Sequence, residues 1–178
     1  SVHYTFRLAP GVYRGAISIT HTNQLQSVSI IGSGSSQTFL DTAADWSSQL
    51  TSNVLYLRNF KDIEVQNVCF TRGAYGLYLR HVKRAVVTNC RFEFLGSKGT
   101  VSQHDLSANQ ASQAAYWAGN DTSDGGACRI REASTLLFND NEISYCLRGG
   151  RFQSCGEAST ASLISGNKVY RTLEAGLY

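Results

Sequence analysis

Apolar and polar residues alternate with a period of two through residues 55–70 (LYLRNFKDIEVQNVCF), where Leu55/Leu57, Ile63/Val65 and Val68/Phe70 share one side of the chain. Alternation over such short stretches predicts β-strands with one buried face each, separated by small polar turns. The segment recurs. Residues 77–92 (LYLRHVKRAVVTNCRF) align to it without a gap at an offset of 22 (77 − 55), and eight of sixteen positions are identical. The frame then continues: Cys128, Arg129 and Ile130 answer to Leu77, Tyr78 and Leu79; Leu136 and Phe138 answer to Ala85 and Val87; Ile143 answers to Phe92. A further copy runs through Phe152, Ile164 and Val169, stretched around residues 156–160, and Gly76-Leu77-Tyr78 returns as Gly176-Leu177-Tyr178. Ile17/Ile19 and Val28/Ile30 read as an earlier, more degenerate turn.

A fixed period decides the architecture. Twenty-two residues are too few for a helix-pair repeat or a propeller blade, and no LxxLxLxxN signature is present. Three short strands per turn, with strands about 4.8 Å apart, predict an all-β chain forming a single parallel β-helix over residues 1–178. Helical periodicity is confined to residues 107–117, within a long loop insertion at residues 93–126. Like residues then lie over like. Phe60 and Val82 fill an inner corner; Val65, Val87, Phe138 and Ile164 form one column, and Phe70, Phe92, Ile143 and Val169 another. Asn67 and Asn89, continued by Asp140 beside Asn141, read as a ladder at a bend, where amides satisfy turn backbone groups and one another. His81 falls in line with Asn59, Glu132 and Ser154, a mixed polar turn column.

Composition narrows the classes. Charged residues are 16%, against roughly 25% in an average soluble domain. A net charge of +3 is too mild to argue for nucleic acid, and no run approaches the roughly 18 apolar residues of a membrane helix. With no Met and no leader pattern, the chain is expected to be a processed piece of a longer protein. Cys69, Cys90, Cys128, Cys146 and Cys155 show no CxxC spacing, which argues against a zinc knuckle. Buried free thiols are expected, with Cys146 and Cys155 the pair able to meet across a turn.

The opening stretch (residues 8–13, LAPGVY, then Ile17/Ile19, residues 28–34, VSIIGSG, and residues 38–40, TFL) resembles the start of pectate-lyase-like right-handed parallel β-helices, as found in bacteriophage tailspikes. The resemblance implies a right-handed coil. It specifies chemistry poorly, since lyases, hydrolases, epimerases and adhesins share that coil.

Under the family's strand order, Tyr56, Tyr78, Arg129 and Arg151 point outward in one column of the first sheet, beside Arg58, Arg80, Arg131 and Gln153. Such a face suits a sugar polymer, with rings stacking on pyranoses and guanidinium groups forking onto carboxylates or hydroxyls. The same residues also suit a solvated face chosen for cross-strand packing. Tyr116 and Trp117 in the insertion are expected either to wall a sugar site or to anchor the loop. Glycosidic acid/base chemistry needs two carboxylates roughly 5–10 Å apart, and Asp121, Asp124, Glu132 and Glu93 are the candidates. A lyase would instead pair Arg129 or Arg131 with Asp121 or Asp124. No cofactor is expected, apart from a divalent cation such as calcium for a lyase. No DPHD signature of the alginate epimerases occurs.

A coil ending one strand into a new turn exposes unpaired backbone, so further domains or a homotrimer are expected to cap it. The resulting expectation is a tailspike-like or tail-fibre-like protein, on the virion or extracellular, that binds bacterial surface polysaccharide, with or without cleaving it, and has no nucleic-acid partner and no membrane insertion. The rivals are a secreted polysaccharide lyase or glycoside hydrolase, and a non-catalytic spacer or adhesin.

Overall fold

The computed structural model describes residues 2–42, 52–96, 125–157, 161–172 and 176–178. Among these, all regular structure is β. In chain order the strands are β1 (His3–Leu8), β2 (Gly11–Arg14), β3 (Ile17–Thr20), β4 (Ser27–Gly32) and β5 (Thr38–Asp41). There follow β6 (Leu55–Gln66), β7 (Cys69–Thr71), β8 (Tyr75–Thr88), β9 (Arg91–Glu93) and β10 (Gly126–Asn139). The last four are β11 (Glu142–Ser144), β12 (Gly150–Gln153), β13 (Leu163–Ser165) and β14 (Lys168–Tyr170).

Every strand pairing is parallel, and the strands form three sides of a coil. Side one comprises β3, the first halves of β6, β8 and β10, and then β12. Side two comprises β1, β4, the second halves of β6, β8 and β10, and then β13. Side three runs β2, β5, β7, β9, β11, β14. The 22-residue offset is the observed register, with Leu55, Tyr56, Leu57 and Arg58 lying against Leu77, Tyr78, Leu79 and Arg80. Leu177 bridges to Gly150, so the Gly-Leu-Tyr recurrence also keeps the frame.

Two details differ from the sequence reading. Sides one and two are not separate strands, because β6, β8 and β10 run through their shared corner as single bent strands of 12 to 14 residues. One left-handed residue makes that bend. All eleven non-glycine residues with positive φ among the described residues fall into three corner columns. These are Asn59/His81/Glu132/Ser154, Asn67/Asn89/Asp140 (with Gly166 following), and Arg72/Phe94/Tyr145/Arg171. A single left-handed residue turns the chain sharply without a loop, which keeps the coil compact.

The second difference is the amide ladder. The amides that stitch coils together lie one residue beyond the Asn67/Asn89 column, at the buried Asn141 and at Asn167. Asn141 Oδ1 accepts from Cys90 N–H (2.9 Å), and its Nδ2 donates to Val87 O (3.1 Å) and Asn167 Oδ1 (3.0 Å). Asn167 repeats the motif one coil on: its Oδ1 accepts from Asn141 N–H (2.9 Å) and its Nδ2 donates to Phe138 O (2.7 Å). Cys90 holds the equivalent place one coil earlier, with Sγ 3.6 Å from Val65 O. Position 67/89 points out of the coil, with Asn89 exposed; the next residue points in.

The interior follows from the alternation. Leu55, Leu57, Leu77, Leu79 and Ile130 are fully buried, each contributing roughly 1.5–3 kcal/mol of transfer free energy. Phe70 and Phe92 stack at 5.0 Å with an interplanar angle of 11°. Ile164 keeps its register against Phe138 but is exposed, because β13 lies at the coil's edge. All five cysteines are free; Cys155 is half-buried and the others are buried. The coil frame runs through Gly96, whose N–H donates to Gly73 O, and resumes at Gly126.

Candidate functional site on side one

Alternation sends every second side chain on side one away from the core. One outward column runs Tyr56, Tyr78, Arg129, Arg151, each in register with the next. The rings of Tyr56 and Tyr78 meet edge to face at 5.1 Å. Arg129 lies over the Tyr78 ring at 5.4 Å, and Arg151 over Tyr178 at 5.9 Å. The neighbouring column runs Arg58, Arg80, Arg131, Gln153, and Arg129 Nη2 donates across to Gln153 Oε1 (3.3 Å). The face is a two-row plate of aromatic rings and guanidinium groups, half-buried by their own crowding.

Like charges on adjacent strands repel, so stacking Arg58, Arg80 and Arg131 is unfavourable without acceptors nearby. Glu132, at the first corner, supplies one. Its Oε2 lies 3.6 Å from Arg80 Nε and 2.6 Å from His81 Nδ1. Among the described residues, Arg58 has no carboxylate partner. Its Nε, Arg80 Nε and Glu132 Oε2 are buried with no hydrogen bond aligned on them. Buried polar atoms are nearly always satisfied, and the crowding of stacked guanidinium groups leaves these atoms turned away from both solvent and partner.

A family model described as a right-handed beta helix region matches residues 28–178. The chain belongs to that family. No curated protein and no solved structure matches it. The right-handed β-helix explains why the face is flat and ordered: each coil reproduces the path beneath it, so side chains recur at the strand spacing of about 4.8 Å.

The β-helix gathers the sequence-derived binding residues Tyr56, Tyr78, Arg58, Arg80, Arg129, Arg131 and Arg151 on one side. Of the candidate carboxylates, the described residues include Glu132 and Glu93, on different parts of the coil. Glu132 sits at the corner joining sides one and two, whereas Glu93 belongs to β9 on side three. There Glu93 takes Arg91 Nη2–H on Oε1 (3.4 Å), with Arg91 Nε 3.3 Å from Oε2 and Cys69 Sγ 3.5 Å from Oε1. That environment makes Glu93 a structural partner of Arg91, and burial pushes the Cys69 thiol well above its ordinary range. Asp121, Asp124, Tyr116 and Trp117 lie outside the described residues. So does the 107–117 stretch.

The sequence reading placed His81 in a polar turn column, and the structure keeps it there. Its alignment with Glu132 one coil away was legible, but the corner geometry that turns the two side chains toward each other was not. No group of three or more His, Cys, Asp or Glu residues among the described residues is placed to hold a metal. Among them, too, no helix is long and apolar enough to cross a membrane.

Proposed function

We propose that this β-helix binds bacterial surface polysaccharide through the Tyr/Arg plate of side one, in the manner of a phage tailspike or tail fibre, on a virion or outside the cell. The carrying observation is the register of Tyr56, Tyr78, Arg129 and Arg151, with Arg129 seated on the Tyr78 ring. Aromatic faces take the C–H surfaces of pyranose rings, and guanidinium groups donate paired hydrogen bonds to hydroxyls or carboxylates. A stack of parallel strands holds these groups at fixed separations, so little ordering entropy is lost on binding. A homotrimer, or further domains of the same protein, would cover the coil's exposed edges.

A glycan array, followed by product analysis on each ligand found, tests this reading. Replacing Tyr78 and Arg80 together by Ala is expected to weaken binding about tenfold or more, roughly 1.4 kcal/mol, with the thermal midpoint kept. Unchanged affinity would remove side one from consideration. Binding without cleavage fits a receptor-binding module, whereas unsaturated products would indicate a lyase. Absence of any glycan ligand would favour a spacer or adhesin.

A further inference from the structure

We infer that copies of this chain stack head to tail, the β12–β14 end of one coil docking on the β1–β3 end of the next. This goes beyond the glycan reading and does not rest on it. Among the described residues, no strand lies on the outer edges of β1, β2 and β3 at one end, or of β13, β14 and residues 176–178 at the other. Each end therefore offers free backbone donors and acceptors on all three sides. The sides also recur in one order. The first described turn runs side two (β1), side three (β2), side one (β3). The last runs side two (β13), side three (β14), side one (residues 176–178). The β1, β2 and β3 of a second copy thus meet β13, β14 and residues 176–178 as the next parallel turn, at the strand spacing of about 4.8 Å.

The interiors of the two ends match as well. Inward columns run the length of the coil, from Ile17 to Leu177 on side one, Phe6 to Ile164 on side two and Tyr13 to Val169 on side three. Each column begins and ends on an apolar or aromatic residue. Phe6 is 49% exposed and Ile164 41%, with Tyr13 and Ile17 exposed beside Phe6. An inward-pointing charge is a usual device against strand addition, and none of these six positions carries one. Between Phe6, Tyr13 and Ile17, above Ile30 and Leu40, lies a cavity of about 180 Å³ with apolar walls. Such a cavity stays dry, and its lining forgoes packing contacts until side chains fill it. Stacking sets Ile164, Val169 and Leu177 over it. On the outer face the same register puts Arg14 against the Tyr170 ring, Lys168 against Val12 and Arg7 against Ser165, so no like charges meet in these pairs. Another partner would have to bring three parallel edges in this order, with apolar residues at these three positions; the opposite end of the same chain has them. Because the two docking surfaces are unlike, the contact does not close on itself and builds linear stacks.

Sedimentation equilibrium of the full chain over a wide concentration range tests this. The wild type is expected to gain mass with concentration in steps of 19.5 kDa. Phe6→Lys blocks one end and Ile164→Lys the other; both residues are exposed, so the fold is kept, and the thermal midpoint of dilute protein verifies it. Each variant alone is expected to stay monomeric, its association at least about 100-fold weaker, because stacking would bury a lysine ammonium unpaired in an apolar column. An equimolar mixture of the two restores one competent pair of ends and is expected to stop at the dimer. A wild type that stays monomeric throughout overturns the proposal. So does association that survives both substitutions, as a side-by-side assembly would, or a mixture that stays monomeric. Dimers formed by either variant alone would mean a self-complementary contact and overturn it equally.

Discussion

Replacing Asn141 by Ala tests the internal stitching of the coil. The side chain removed is buried and makes three hydrogen bonds of 2.9 to 3.1 Å to Cys90 N–H, Val87 O and Asn167 Oδ1. Alanine strips the Cys90 amide of its acceptor and Val87 O of a donor, both inside the coil where water has no access. Each orphaned group costs about 1–3 kcal/mol, and the small void adds to this, so a loss of about 3–5 kcal/mol is expected. At 178 residues that corresponds to a fall of about 10 °C in Tm. Asn89→Ala is the matched control: Asn89 is an exposed corner residue, and losing it should cost only the roughly 1–2 kcal/mol of placing alanine in a left-handed conformation. Equilibrium urea unfolding followed by far-ultraviolet circular dichroism measures both. A loss below about 1 kcal/mol for Asn141→Ala, or equal losses for the two variants, would refute the interior ladder.

Further outcomes are expected elsewhere. The Tyr78/Arg80 double variant tests the binding face as set out above. Gly149→Ala should destabilise by about 1–3 kcal/mol, because a Cβ there would sit 2.0 Å from Gly176 O in the next coil, and hydrogen exchange should then show residues 176–178 loosened. Burial pushes the Cys90 and Cys146 thiols up to about 12, from an ordinary value of 9.0. Above about pH 9 the unfolded chain therefore gives up protons that the folded chain keeps, so stability should be level below that pH and decline from there towards 12. Iodoacetamide at neutral pH should label the half-buried Cys155 before the other four; rapid labelling of Cys90 or Cys146 in the native state would contradict the burial.

The coil was legible because its signal is redundant. The Leu55/Leu77 register, the Val65/Val87/Phe138 column and the Tyr56/Tyr78/Arg129/Arg151 row each follow from one 22-residue frame, carried across the insertion as an offset of 51 (129 − 78), and an error in one would have broken the others. What stayed hidden depends on backbone angles. Periodicity cannot tell whether Asn89 or the next residue faces inward, because a single left-handed residue exchanges the faces at a corner. The bent strands β6, β8 and β10 read as two strands each for the same reason. The place of Glu93 was hidden differently. Glu93 and Glu132 flank the same insertion in sequence, yet a corner of the coil separates β9 from side one, and only the topology reveals it.

Because each coil offers its successor the same backbone outline, a whole unit of 22 residues can be duplicated or lost without rebuilding any interior contact. The outer plate then lengthens or shortens in quantised steps of about 4.8 Å, one aromatic or cationic rung at a time. Tandem gene duplication is thus sufficient to change the length of such a surface, and substitution of single rungs to change its chemistry.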